Sequence, residues 1–140
     1  VVLRISTAYG RALGGRPGFV DGLRDKLSRG EPATAFTDQW RSSTAADQLP
    51  EVLSKLLADP DLEGVFHWGG SERATRFSMA TTFARVMGFD ENLVRPGRAV
   101  DAKPSYPWPR DSSLDSSRLA AAIGVAPRGY EAGFKALRAS

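Results

Sequence analysis

Four groups of residues have types and spacing that could do chemistry. Arg110 sits in Tyr106-Pro107-Trp108-Pro109-Arg110-Asp111. Its guanidinium offers a planar fork of donors matched to phosphate, and Tyr106 and Trp108 could stack on a base or sugar. The alternative is a solvated Arg pinned only by Asp111 or Asp115. A glycine-rich stretch, Gly10-Arg11-Ala12-Leu13-Gly14-Gly15-Arg16-Pro17-Gly18, precedes a helical pattern. Such a loop leads unpaired N–H groups and a helix dipole toward a phosphate, or is simply a connection. Asp38 follows 20 residues after Gly18, so a dinucleotide motif is imaginable, although Arg16-Pro17 crowds the turn. Ser6 and Thr7 close an apolar run and could donate to a substrate or cap loop amides instead. His67 is the only histidine. A hydrogen-bonded sheet histidine is the expectation over a general base, because no positioned partner can be named, and Trp68 beside it is expected in the core.

These residues need elements to hold them. Val1-Val2-Leu3-Arg4-Ile5 is a β-branched run that should be buried between neighbours in a parallel sheet, and an N-terminus seldom opens there. Phe19, Leu23 and Leu27 mark one face of a helix over 19–28, stopped by Gly30. Thr34-Ala35-Phe36 is a short strand. Thr44 is expected to cap a second helix with the stripe Leu49, Val52, Leu53, Leu56 and Leu57, ended by Pro60 and Gly64. Val65 to Trp68 is a buried strand, so the first two-thirds read as a parallel β-α-β-α-β unit. Thr75 or Ser78 begins a third helix that buries Phe77, Ala80, Ala84 and Met87 and stops at Gly88. The stretch from Asp90 to Asp111 is expected to be irregular. Short helices follow from Asp115 to Ile123 and from Tyr130 to Ala139.

The segment Trp108-Pro109-Arg110-Asp111-Ser112-Ser113-Leu114-Asp115-Ser116-Ser117-Arg118-Leu119 resembles the R-P-x-x-S-x-L-D-x-x-K-L signature of the dTDP-4-dehydrorhamnose reductases, which are extended short-chain dehydrogenase/reductases. Val2 to Gly10 is similar to their V-L-R-x-S-x-x-Y-G strand, and Asp38 to Asp47 to their D-Q-x-x-x-P-T-x-x-D stretch. Gly64 to Gly70 is similar to their G-x-x-H-x-x-G strand. Phe66-His67-Trp68 and Arg76-Phe77-Ser78-Met79-Ala80 are similar to a non-catalytic relative, the regulatory beta subunit of methionine adenosyltransferase. Thr7 stands where rhamnose-forming enzymes often carry Trp, and Ser43 replaces a usual Pro. The resemblance implies a Rossmann-like α/β fold, of which this is the C-terminal, substrate-binding part. It implies NADP or NAD in the parent family, with Ser6 and Thr7 near the cofactor, and a nucleotide sugar held by Ser6, Thr7, Gly18, Phe19 and Arg110. The family's Tyr-x-x-x-Lys pair and N-terminal cofactor glycine motif are absent from these 140 residues. Accordingly no catalytic residue and no metal ligand is expected here, and this chain should not bind the cofactor alone.

Composition is compatible with that reading. A chain of 140 residues is one domain's worth, and 41% hydrophobic with 25% charged is ordinary for a globular protein. The net charge of +3 is mild and scattered, so neither a nucleic-acid stripe nor a membrane surface is expected as partner. With no cysteine and no membrane-length apolar run, the expected place is the cytoplasm. The expected partners are a nucleotide sugar and a second copy or another chain covering the first strand's edge. Three readings stay open: the substrate-binding half of a reductase, a binding module without chemistry, and a split remnant that folds only with a partner.

Overall fold

The computed structural model describes residues 1–11, 14, 17–102 and 105–140. In chain order, β1 is Val2–Ile5, β2 Ala8–Tyr9, α1 Phe19–Ser28, β3 Ala33–Phe36, β4 Trp40–Arg41 and β5 Thr44–Ala45. Then come α2 (Leu49–Ala58), β6 (Val65–Trp68), β7 (Ala74–Thr75), α3 (Arg76–Met87), β8 (Val94–Gly97), α4 (Ser117–Ile123) and α5 (Tyr130–Ala139). Three single 3-10 turns lie at Ala46–Gln48, Glu91–Leu93 and Ala99–Ala102.

The strands form parallel pairs in three places, β1 with β6, β2 with β5 and β3 with β8, while β4 and β7 pair antiparallel. The expected β-α-β-α-β unit is therefore divided. β1 and β6 pair in the register Val2↔Val65 to Ile5↔Trp68, but β3 leaves them and pairs with β8. The reason is a second core. Ala33 and Ala35 face a cluster built from Val20, Leu23 and Leu27 of α1, Met79, Phe83 and Ala84 of α3, and Tyr130 and Phe134 of α5. Phe66 and Trp68 face another, with Val52 and Leu56 of α2 and Leu119 and Ile123 of α4. The fold is mixed α/β with two cores that share one chain.

Several elements follow the sequence closely. α1 has the expected bounds, Thr75 caps α3 by accepting from the Ser78 N–H at 3.0 Å, and Gly88 ends it in the left-handed conformation at φ 81°. Others do not. Thr44 lies in β5, with its hydroxyl donating to the Trp68 carbonyl, and α2 begins only at Leu49 after the 3-10 turn, with Pro50 in its first turn. Val52 and Leu56 are buried, but Leu53 and Leu57 are exposed. α3 buries Met79, Phe83 and Val86 besides Ala80 and Ala84, leaving Phe77 and Met87 half-buried. The stretch 90–111 contains β8, disguised by Pro96, which an edge strand tolerates because only one side of it pairs. β1 is not sandwiched: Val2 and Ile5 keep 52% and 47% of their surface, because among the described residues β6 is its only neighbour.

The cores meet where three segments cross. The Thr44 N–H donates to Thr7 O, the Gly70 N–H to Ser42 O, and the Gly69 N–H to Ser116 Oγ, all between 2.8 and 3.0 Å. A Cβ on Gly69 or Gly70 would collide with the backbone of Ser42 or Ser43, so this approach requires glycine. Ser43, which replaces the expected Pro, donates its N–H to the Tyr130 hydroxyl at 2.8 Å, and that hydroxyl donates to Arg41 O.

Candidate functional site

A short three-strand ribbon organises the polar side of the larger core. β4 pairs with β7 and also bridges to Asp111: Trp40 donates its N–H to Arg110 O at 2.7 Å and accepts from the Ser112 N–H. The residue after β7 is Arg76, the first of α3, whose N–H donates to Gln39 O at 3.0 Å. Arg41 and Arg76 are thereby brought to one wall. Facing them are Phe36 from the end of β3 and Trp108, with ring centroids 5.8 Å apart and planes inclined at 41°. Phe36, Gln39, Arg41, Arg76, Tyr106, Trp108 and Pro109 line a cavity of about 390 Å³.

The charges in this cavity are uncompensated. Arg41 is buried and donates to the carbonyls of Trp40 (2.6 Å) and Pro109 (3.3 Å). Arg76 is half-buried, and among the described residues no carboxylate pairs with either guanidinium. Burial, and then the neighbouring Arg41, lowers the Arg76 pKa below its ordinary value. Its place at the first position of a helix adds the dipole's positive end. Among the described residues the directional contact on its guanidinium is the Phe19 ring, with the guanidinium carbon 4.7 Å from the ring centroid. Gln39 is 3% exposed and is among the lining residues. The arrangement is one that suits an anion joined to a planar group, because two guanidinium groups and three aromatic residues line the same cavity.

The residues singled out from sequence are distributed around this cavity. Phe19 touches it through Arg76, and with Gly18 it lines a neighbouring hollow with Gly22, Leu23, Lys26, Ala33 and Thr34. Arg110 is exposed on the far side of Trp108, in a hollow of about 250 Å³ with Asp38, Gln39, Ala99, Val100 and Pro107. It is not pinned by Asp111, whose carboxylate is taken by Arg73 at 2.7 Å and by the Ser113 N–H and hydroxyl. Set on the signature R-P-x-x-S-x-L-D-x-x-K-L, Pro109, Ser112, Leu114, Asp115 and Leu119 fall on fixed positions, Trp108 on the Arg, and Arg110 on a variable one. Ser6 and Thr7 line neither hollow: Thr7 is exposed between β1 and β2, and Ser6 is buried, its hydroxyl without a partner among the described residues. Ala12, Leu13, Gly15 and Arg16 of the glycine loop lie outside the described residues. His67 is half-buried on β6 opposite Arg4, without the hydrogen bond expected of it among the described residues, while Trp68 is wholly buried as expected. No cluster of potential metal ligands occurs among the described residues, and no described helix is long and apolar enough to cross a membrane.

Arg41 and Arg76 escaped the sequence reading. A signal existed for Arg76, since a cation directly after an N-cap opposes the helix dipole and needs a reason. Arg41 had none, because its importance comes from burial that only the ribbon creates.

Known proteins place this geometry. The crystal structure of dTDP-4-dehydrorhamnose reductase from Bacillus anthracis in complex with NADP superposes with a TM-score of 0.84 at 20% identity, over 96% of this chain and 46% of that one. UDP-glucuronic acid 4-epimerase from Bacillus cereus, in complex with UDP-glucuronic acid and NAD, gives 0.76 at 21% identity over 99% of this chain and 44% of that one. The fold is thus that of the Rossmann-like extended short-chain reductases. In sequence the chain is 30% identical over 139 residues to the beta subunit of methionine adenosyltransferase 2 from Bos taurus, covering 91% of this chain and 39% of the relative. The chain therefore spans less than half the length of these proteins. A family model described as the RmlD substrate binding domain matches residues 1–140, so that the divided sheet, the closing signature and the arginine-lined cavity all fall within one matched unit, and the chain belongs to that family.

Proposed function

We propose that this chain is the substrate-binding half of a cytoplasmic, NAD(P)-dependent sugar-nucleotide oxidoreductase resembling dTDP-4-dehydrorhamnose reductase, and that its cavity seats the nucleotide diphosphate. The observation that carries the reading is the pair Arg41 and Arg76, two guanidinium groups that no carboxylate pairs with among the described residues, beside three aromatic rings. A diphosphate would supply the missing negative charge, and Phe36, Trp108 and Tyr106 offer faces for a base or sugar. Arg110 lines one neighbouring hollow and Gly18 and Phe19 another. Ser6 and Thr7 follow β1 at the C-terminal edge of a parallel pair, where such folds bind ligands.

For the cofactor, the fit within this chain is small. A nicotinamide supplies a hydride when bound. What this chain offers it is the unpartnered, buried Ser6 hydroxyl and the exposed Thr7. With no Tyr-x-x-x-Lys pair in the sequence, the chain by itself is inactive, and the chemistry belongs to residues outside it. A second reading is favoured by the 30% identity to the methionine adenosyltransferase beta subunit: a binding module that keeps the fold for a partner. In either case the exposed β1 edge calls for cover by a second copy or another chain.

Calorimetry with dTDP and a dTDP-sugar tests the seat. Arg76→Ala should weaken binding by about 1.5–3 kcal/mol, the scale of one charged hydrogen bond. Unchanged affinity, or no binding by the unaltered chain, would reject it. NADPH consumption with a 4-keto-deoxy sugar nucleotide, dependent on this chain alone, would reject the inactivity.

A further inference from the structure

Arg76 poses a mechanical problem. A half-buried guanidinium is ordinarily aimed by a carboxylate, yet among the described residues none pairs with it and no side-chain hydrogen bond holds it. Its backbone is fixed through Gln39 O, but four side-chain torsions follow. The contact that remains is the Phe19 ring, 4.7 Å from the guanidinium carbon. A cation stacked on a ring keeps its N–H edge free, so the ring orients the donors without consuming them. Phe19 is itself anchored. It is the first residue of α1, packed against the larger core, with the Gly18 N–H donating to Asp21 Oδ2 at 2.9 Å and Val20 and Leu23 buried behind it.

We infer that Phe19 is the positioning residue of the anion seat, holding the Arg76 guanidinium toward the cavity and so coupling the start of α1 to occupancy of that seat. The inference rests on the anion-seat reading above. It gives the junction of the glycine-rich loop and α1 a role, since Phe19 is not among the residues lining the cavity yet stacks on the guanidinium that is. An anion that engages Arg76 draws the guanidinium against the ring and quiets the first turn of α1. Conversely, displacement of that turn releases Arg76.

The test uses the 140-residue chain and inorganic pyrophosphate at low ionic strength, by calorimetry. Phe19→Leu keeps the apolar volume but removes the ring face, and affinity should fall about two- to fivefold. Phe19→Tyr restores the ring and should restore affinity. In an Arg76→Ala background Phe19→Leu should change nothing further, which a general loosening of the core would not reproduce. As an independent readout that needs no variant at Phe19, pyrophosphate should slow hydrogen exchange of the amides from 20 to 23 in the unaltered chain and not in Arg76→Ala. Equal affinities for the unaltered chain and Phe19→Leu, or equal losses for Leu and Tyr, or exchange that ignores the ligand, would overturn the coupling while leaving the seat intact. Loss of all pyrophosphate binding by the unaltered chain would overturn both.

Discussion

Replacing Arg76 with Met should make the empty protein more stable and the ligand-bound protein less so. The balance can be worked from the surroundings of the guanidinium. Removing the charge from the first position of α3 relieves a dipole penalty of about 0.3–1 kcal/mol. It also ends repulsion from Arg41 and the cost of burying an unpaired cation. Against this stands the stacking on Phe19, worth about 0.5–1 kcal/mol. A thioether over the same ring returns about 0.3–1.5 kcal/mol, and the straight Met stem fills the same space. The net gain is about 0.5–1.5 kcal/mol. With an unfolding entropy of about 2.1 cal/mol/K per residue, Tm should rise by roughly 2–5 °C. At a pyrophosphate concentration about 100 times Kd the unaltered chain gains about 2.7 kcal/mol by mass action, and the order of the two proteins reverses. Circular dichroism melts with and without pyrophosphate, in dilute buffer, measure both effects. A Met variant that melts several degrees lower when empty would mean that Arg76 is a structural residue. An equal ligand-induced rise in both proteins would mean that it does not meet the anion.

Other outcomes follow from the same geometry. Tyr130→Phe removes the hydroxyl that accepts from the Ser43 N–H and donates to Arg41 O, taking from the buried Ser43 N–H its acceptor; urea unfolding should show a loss of about 1–3 kcal/mol. Asp111 is held at about 2, chiefly by the Ser113 hydroxyl and N–H and then by Arg73. Its folded pKa is depressed, so its contribution is present above the unfolded value near 3.8 and lost as pH falls toward about 2. Asp111→Asn should flatten the acid limb of a stability–pH curve in that interval and leave the neutral-pH slope alone. Ile5→Lys places a charge on the unpaired β1 edge, and sedimentation should show less self-association with Tm little changed; identical sedimentation would mean that the edge recruits nothing.

The parts of this fold that were legible in sequence are those fixed by local chemistry. α1 announces itself by apolar spacing, and α3 by a Thr cap and a Gly stop. Trp68 reads as core because an alternating strand must bury one face. What was hidden depends on partners distant in sequence. Nothing in Val94-Arg95-Pro96-Gly97 reads as a strand until β3 supplies its one pairing edge. Thr44 looks like a helix cap because its local context suits one, yet its hydroxyl is taken by Trp68 O, 24 residues away. The site was legible only around its rim. Trp108 and Arg110 were found because aromatic and cationic residues cluster in a Pro-rich stretch. Of the two arginines that carry the charge, Arg76 offered the faint signal of a cation after an N-cap, while Arg41 becomes distinctive only through burial.

The two cores are threaded rather than consecutive. The smaller one takes Leu3, α2, β6, α4 and Val125, and the larger takes Tyr9, α1, β3, Ala45, α3, Val94 and α5, so the chain passes back and forth between them. No single cut between Tyr9 and Val125 yields either core intact. A proteolytic nick in any connection within that span leaves both halves of the chain represented in both cores, so the pieces should remain associated and be separable only by denaturant. During synthesis neither core can close until the last quarter of the chain has emerged, because Leu119 and Ile123 complete one and Tyr130 and Phe134 the other. Shortening from the C-terminus therefore does not trim this protein; it withdraws a wall from each core in turn.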